Sequence, residues 1–74
     1  RCDGMTLDVH GNLYITKEVV EVYKPDGTLL GEIKLPGEGG STNVTFGGQD
    51  RKTLYITGGT RLMKLDMQVA GIAR

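Results

Sequence analysis

The sequence predicts an all-β protein, and three observations lead to that class. Short runs of apolar, β-branched and aromatic residues alternate with polar residues at a period of two, which is the pattern of half-buried strands. Twelve glycines and two prolines among 74 residues divide these runs into short segments joined by turns. No segment carries an apolar stripe of useful length at helical spacing, so we expect no helix longer than two turns before Asp66.

The opening stretch predicts a hairpin with a carboxylate at its mouth. Residues 5–9 alternate between apolar and polar side chains, residues 10–12 (His-Gly-Asn) favour a turn, and residues 13–16 (LYIT) form a second strand. Asp3 stands before this first strand, next to Gly4. A carboxylate at the first residues of an inner strand is a place where a site can be built.

The rest of the chain continues the same alternation of strands and turns. Residues 24–27 (KPDG) carry a strong turn signal, because Pro presets φ and Asp-Gly favours tight hairpin turns. Residues 36–40 (PGEGG) cannot continue a sheet and predict a connecting loop. No strand is assigned to residues 67–74. The further predicted strands are residues 19–23, 28–35, 43–46, 53–57 and 62–66.

An internal repeat defines the architecture. LYIT occurs at residues 13–16 and again at residues 54–57, 41 positions later, and residues 5–7 match residues 44–46 at a spacing of 39, the difference being absorbed by a longer second turn. A repeat near 40 residues made of four short strands is the period of a β-propeller blade. The prediction is one partial domain over 1–74, with consecutive antiparallel blades at about 2–36 and 41–69, the second lacking its fourth strand. The apolar residues expected between the sheets are Leu7, Leu13, Ile15, Val22, Phe46, Leu54 and Ile56.

Composition excludes some partners. Nine basic residues balance nine acidic ones, so no charge excess attracts nucleic acid or an anionic membrane. No run of about 18 apolar residues exists to cross a membrane as a helix. The first residue is Arg1 rather than Met, which we interpret as a piece of a longer protein. A single cysteine, Cys2, favours a reducing compartment, hence a cytoplasmic location.

Several motifs resemble a known family in that family's own order. They are CDGMTLD, GNLYIT, VEVYKPDGTLLGEIKLP, TNVTFGG and KTLYIT, and from Cys2 to about Leu65 they are similar to the C-terminal blades of the gluconolactonase and regucalcin (senescence marker protein) family. The resemblance implies a six-bladed propeller that binds one divalent metal in its central channel and hydrolyses sugar lactones. Cys2 stands where the family usually has a proline, a change that should alter strand entry but keeps the carboxylate that follows.

The resemblance also implies site residues. Asp3 is similar to the family aspartate that serves as metal ligand and proposed general base, for Ca²⁺ or Zn²⁺ (or Mg²⁺ or Mn²⁺). The family's other protein ligands, a glutamate and an asparagine, come from blades that this chain does not contain. The internal repeat makes Thr42 and Asn43 the equivalents of Asp3 and Gly4, and thereby candidates for substrate contact. Without the resemblance, Asp3 beside Gly4 would be interpreted as an ordinary turn residue.

The remaining polar and aromatic residues are expected to be structural. Cys2 has no basic neighbour except Arg1, which argues against a catalytic thiolate. Packing is expected for Tyr14 and Tyr55, and turn or edge positions are expected for His10, Asp26, Asp50 and Asp66.

Two functions of different classes follow from the sequence. In the first, the chain is the C-terminal part of a divalent-metal-dependent sugar lactone hydrolase, acting on a sugar lactone or similar small molecule and inactive as an isolated monomer. In the second, it is a non-catalytic β-propeller blade module or scaffold that self-assembles or binds a partner. Two blades cannot close a ring, so the expected partners are the remaining blades of a parent propeller or further copies of the chain, three of which would supply six blades.

Overall fold

The computed structural model describes residues 4–35, 40–58 and 61–71. All regular structure in these ranges is β, and no helix there is long and apolar enough to cross a membrane. Cys2, Asp3 and residues 36–39 of the expected 36–40 loop lie outside the described residues. The strands are β1 (Met5–Leu7), β2 (Leu13–Thr16), β3 (Val20–Tyr23), β4 (Leu29–Ile33), β5 (Asn43–Gly47), β6 (Thr53–Gly58) and β7 (Arg61–Asp66).

The strands form two antiparallel sheets in which sequence neighbours pair. One sheet has the order β1-β2-β3-β4 and the other the order β5-β6-β7. This confirms the all-β class and the four-plus-three division of the strands. The innermost strands, β1 and β5, lie beside each other, so the two sheets pack face to face as consecutive blades do.

The register of the two sheets reproduces the internal repeat. Thr6 pairs with Tyr14 in the first sheet, and Thr45 pairs with Tyr55 in the second. Leu7 pairs with Leu13 six positions later, whereas the equivalent Phe46 pairs with Leu54 eight positions later, as the spacings of 39 and 41 require. The prediction of a longer second turn was wrong, because both turns have five residues and the two extra residues, Gly47 and Thr53, form one more pair of β5 with β6. The sequence repeat is therefore also a structural repeat.

The core between the sheets differs from the predicted set in the first blade. Val22, Leu54 and Ile56 are buried as expected, and the half-buried Phe46 packs its ring edge-on against Tyr14, with centroids 5.2 Å apart. Leu7, Leu13 and Ile15 were wrongly assigned: Leu7 is 36% exposed and the other two are half-buried. The buried apolar residues are Tyr14, Val20, Val22, Val44, Leu54 and Ile56.

The physical reason for this error is that both faces of the first hairpin are suitable for packing. Alternation separates the two faces of a strand but does not say which of them meets the neighbouring sheet. The first sheet turns its Thr6 and Tyr14 face toward β5–β7, and the aliphatic face of Leu7 and Leu13 points away.

The segment after β7, for which no structure was predicted, crosses back over both sheets. The Met67 N–H donates to Lys52 O at 2.7 Å, and the Gly71 N–H donates to Arg51 O at 2.9 Å. Val9 N–H in turn donates to Ala70 O at 2.8 Å, and Gly71 forms a bridge with Asp8. Residues 67–71 therefore tie the β1–β2 turn to the β5–β6 turn.

Candidate functional site

The candidate site lies where β1 and β5 begin. These inner strands are adjacent, and their first residues, Met5 and Asn43, follow Gly4 and Thr42 in the chain. Asp3, the predicted metal ligand and base, precedes Gly4 but lies outside the described residues. The described part of the candidate site therefore consists of Gly4, Thr42 and Asn43.

Gly4 is held in place by Thr16, which is fully buried at the end of β2. The Gly4 N–H donates to Thr16 Oγ1 at 2.8 Å. The Gly4 carbonyl accepts both from Thr16 Oγ1 at 3.0 Å and from the Thr16 N–H at 3.0 Å. Both backbone polar groups of Gly4 are thus fixed to a rigid strand.

Asn43 lies directly against Gly4. A Cβ added to Gly4 would come within 3.0 Å of the Asn43 Cα and closer still to its side-chain oxygen, so this position has room only for glycine. Asn43 Oδ1 also accepts from the Val44 N–H at 2.9 Å, which orients the amide. Residues 4 and 43, which are equivalent in the repeat, are therefore also in direct contact.

Thr42 is exposed and anchored to the end of β6. Its N–H donates to Thr57 O at 2.7 Å, and its Oγ1 lies 3.2 Å from the same carbonyl. The Thr42 and Thr57 hydroxyls are 3.1 Å apart and share one hydrogen bond. Thr42 and Asn43 are thus both accessible at this end of the inner strands, with hydroxyl and amide groups available to a ligand.

The side-chain oxygens at this end of the inner strands are of the type that binds a hard cation. Thr42, Asn43 and Thr57 offer neutral oxygens, and Ca²⁺ and Mg²⁺ prefer oxygen ligands. Within residues 4–35, 40–58 and 61–71, no group of three or more His, Cys, Asp or Glu side chains is placed to hold a metal ion. A group of three or more such side chains would have to include Asp3 or other residues outside the described ranges.

Sequence reasoning missed a buried carboxylate at the opposite end of β1. Asp8 is fully buried and accepts four hydrogen bonds. One oxygen accepts from the His10 N–H at 2.9 Å and the Asn12 N–H at 3.0 Å. The other accepts from Asn12 Nδ2 at 3.0 Å and the Tyr14 hydroxyl at 2.9 Å. These contacts close the β1–β2 turn around one side chain.

The ionisation of this pair follows from its surroundings. Burial acts to raise the pKa of Asp8, but the hydrogen bonds from Asn12, Tyr14 and His10 outweigh it and leave the pKa below its ordinary value. Burial, followed by the hydrogen bond to Asp8 and the charge of that carboxylate, raises the pKa of Tyr14 far above 10. The signal in the sequence was DVHGNLY, an aspartate followed by Gly and Asn in an Asx-type turn.

The other singled-out residues occupy the expected structural positions. His10 is exposed in the β1–β2 turn. Asp26 accepts from the Thr28 N–H at 2.9 Å, and Asp50 from the Lys52 N–H at 3.0 Å, both as turn-capping contacts. Tyr14 is buried, whereas Tyr55 is half-buried and lies over Gly47 in its own sheet.

The stacked meanders, with adjacent inner strands and a repeat near 40 residues, define blades of a β-propeller. The chain belongs to the SMP-30/gluconolactonase/LRE-like family, whose profile matches residues 1–60.

Individual relatives agree with the family. The pentonolactonase XacC of Haloferax volcanii is 44% identical over 59 residues, which cover 74% of this chain and 20% of that protein. An X-ray structure of a protein provisionally described as a gluconolactonase matches all of this chain and 25% of the solved chain, at 31% identity and a TM-score of 0.88. The chain thus spans about a fifth to a quarter of the length of these relatives.

Proposed function

We propose that the chain forms the C-terminal part of a divalent-metal-dependent sugar lactone hydrolase and contributes Asp3 to its site. Family membership supports the reaction class, and the pentonolactonase relative supports a sugar lactone as the substrate. The structural observation that carries the proposal is the contact between Gly4 and Asn43. It brings together the starts of two inner strands, one of which follows Asp3 in the chain.

The chain's own residues have distinct roles in this proposal. Asp3 holds the metal and accepts the proton of the water that attacks the lactone carbonyl carbon. The ring C–O bond then breaks, the proton held by Asp3 passes to the departing ring oxygen, and a hydroxy acid results. A bound divalent metal would supply Lewis acidity toward the carbonyl and lower the pKa of a water molecule.

Thr42 and Asn43 orient the substrate in the same proposal. The Thr42 hydroxyl can turn from Thr57 O to donate to a substrate oxygen, while it accepts from the Thr57 hydroxyl. Asn43 Nδ2 can donate to a sugar hydroxyl, while its Oδ1 stays on the Val44 N–H. Since a hard cation takes about six or more oxygen ligands, the rest of the coordination shell must come from water and other blades. We therefore propose that the isolated chain is inactive. We also propose that the protein to which it contributes works in a reducing, cytoplasmic setting.

Titration with Ca²⁺ and with Zn²⁺ by calorimetry tests the role of Asp3. Asp3→Ala should abolish the binding that the unmodified chain shows. Asp26→Ala is the matched control, because Asp26 is an exposed turn carboxylate and its loss should leave the affinity unchanged. Equal affinity in Asp3→Ala and the unmodified chain would rule Asp3 out as a ligand.

A second experiment tests the Gly4–Asn43 contact. Gly4→Ala should displace Asn43 and weaken metal binding, because the added methyl group overlaps the asparagine side chain. Gly31→Ala is the control, since a Cβ at Gly31 meets nothing within 4 Å. If both variants bind metal equally well, the start of β5 does not belong to the site.

A further inference from the structure

Thr16 contacts both backbone polar groups of Gly4 through one buried side chain. Its Oγ1 accepts from the Gly4 N–H at 2.8 Å and donates to the Gly4 carbonyl at 3.0 Å. Thr16 has no exposed surface, so its hydroxyl is shielded from any ligand or metal ion at the strand ends. Any influence of this hydroxyl on the candidate site must therefore pass through Gly4.

The Thr16 hydroxyl takes the place of a backbone acceptor. In a regular antiparallel sheet, the two residues of a hydrogen-bonded pair exchange two N–H···O=C bonds. The Thr16 N–H donates to the Gly4 carbonyl at 3.0 Å, as this pattern requires, but the Gly4 N–H donates to the Thr16 hydroxyl. β1 accordingly begins at Met5, one residue after Gly4.

The second sheet provides an internal comparison, because the repeat places Thr57 at the position of Thr16 and Asn43 at that of Gly4. Asn43 pairs with Thr57 as the first residue of β5, so the ladder of the second sheet includes this position. The Thr57 hydroxyl lies 3.1 Å from the Thr42 hydroxyl. The two sheets thus use the same residue type differently, and the hydroxyl that holds the backbone belongs to the sheet that follows Asp3 in the chain.

The hydrogen bond to the Gly4 N–H constrains the link to Asp3. This N–H belongs to the peptide unit that joins Asp3 to Gly4, and the atoms of a peptide unit lie close to one plane. An acceptor that fixes the N–H therefore also fixes the direction in which the chain extends from Gly4 toward Asp3. Gly4 is also in contact with Asn43, whose side chain would overlap a Cβ at this position.

We propose that Thr16 is a positioning residue for the lactone-hydrolysing site, acting through Gly4 on the Asp3 carboxylate and the Asn43 amide. This inference rests on the proposed function, since it requires Asp3 to be a metal ligand and base. Without the hydroxyl, the Gly4 N–H turns to the Thr16 carbonyl, as in a regular ladder, and the peptide unit before Gly4 rotates with it. The Asp3 carboxylate then leaves the position in which it binds the metal.

Titration of the isotope-labelled chain with Mn²⁺, followed by NMR, tests the role of Thr16. Mn²⁺ is paramagnetic and broadens the signals of nearby nuclei, so the Gly4 and Asn43 amide signals report both where the ion binds and how tightly. Thr16→Val replaces the hydroxyl with a methyl group and should weaken Mn²⁺ binding about tenfold or more, as expected when the orientation of a metal ligand is lost. Thr16→Ser keeps the hydroxyl and should bind Mn²⁺ nearly as tightly as the unmodified chain.

Thr6→Val is the matched control. Thr6 is another buried threonine on the same face of the first sheet, and it pairs with Tyr14 rather than with Gly4. Its change should leave the Mn²⁺ affinity unaltered, whatever it does to the free energy of unfolding, which urea unfolding measures for each variant. Thr16→Ala is a second test variant, because it removes the hydroxyl without placing a methyl group beside the Gly4 carbonyl, and it should lose affinity as Thr16→Val does.

The outcomes separate this inference from the proposed function. If Asp3→Ala abolishes the broadening but the folded Thr16 variants without a hydroxyl bind as tightly as the unmodified chain, the inference alone fails. If Asp3→Ala binds as tightly as the unmodified chain, or if the unmodified chain shows no broadening at Gly4 and Asn43, the proposed role of Asp3 fails and the inference fails with it. Equal weakening in Thr6→Val and Thr16→Val would also overturn the inference, because it would reflect lost stability rather than lost positioning.

Discussion

Asp8 is the residue on which the first hairpin depends most. Four donors converge on a carboxylate that has no exposed surface, and one of them is the hydroxyl of the core residue Tyr14. The site candidate at the other end of β1 therefore rests on a strand whose far end is fixed by ionic hydrogen bonds.

Asp8→Asn should lower the free energy of unfolding by about 2 kcal/mol, because an amide group then faces donors that need an acceptor. The pKa of Asp8 in the folded chain is below its ordinary value, so its contribution is present above about pH 4 and is lost as the pH falls through the folded pKa. Urea unfolding from neutral to acidic pH measures this. The gap between the unmodified chain and the variant should close on acidification; a gap independent of pH would contradict the assignment.

Tyr14 predicts the opposite pH dependence. Its folded pKa is raised, so the stabilisation from its protonated hydroxyl is complete below about pH 10, and stability is lost as the pH rises above that value. Tyr14→Phe should cost about 1 kcal/mol at neutral pH and flatten the alkaline loss. Urea unfolding at neutral and alkaline pH provides the measurement, with Tyr23→Phe as the comparison at a partly buried hydrogen bond to Glu21. An unchanged alkaline slope in Tyr14→Phe would show that another group titrates.

At the scale of elements, the repeated tetrapeptide LYIT shows what could be predicted from the sequence and what could not. The LYIT repeat predicted the strands and their pairing, but it wrongly placed the two extra residues of the second copy in the turn, whereas they extend β5 and β6. It could not show that opposite faces of the two equivalent strands are buried. In the first copy Tyr14 faces the neighbouring sheet, whereas in the second copy Leu54 and Ile56 do. That choice depends on which side of each blade has a neighbour, and identical strands carry no information about it.

The residues of the candidate site were likewise predicted only in part. Thr42 and Asn43 were found from the repeat, and the structure brings Asn43 against Gly4. The role of Asp3 remains a prediction. The Asp8 network was missed because the Leu7 side of β1 was predicted to lie inside, whereas the structure covers the opposite side, which carries Thr6 and Asp8.

Residues 67–71 form the element that sequence patterns did not predict, and Gly71 decides whether it docks. A Cβ at Gly71 would overlap the Phe46 side chain, so Gly71→Ala should displace the segment and cost about 1 to 2 kcal/mol. Hydrogen exchange of the Val9 amide should accelerate, because its acceptor is Ala70 O. Gly31→Ala, with open space around it, should change neither quantity; unaltered Val9 exchange in Gly71→Ala would show that the segment docks without this contact.

At the scale of the whole molecule, nine basic residues balance nine acidic ones, and apolar contact between the two sheets is the main source of stability. Raising the salt concentration should therefore change the free energy of unfolding by less than about 1 kcal/mol, since screening acts on charges. Urea unfolding at low and high ionic strength measures this, and strong destabilisation by salt would contradict it.

The return of residues 67–71 to the first hairpin also has a kinetic consequence. Gly71 bridges Asp8, a contact that closes a loop of about 60 residues, whereas the hairpins close over a few residues. We expect the hairpins to form early and this crossing to form last, since its partners are turns of two different sheets. During synthesis the first hairpin then waits for residues 67–71 to emerge before its Val9 amide is covered. Pulsed hydrogen exchange during refolding should find Val9 protected after the amides of β2 and β6.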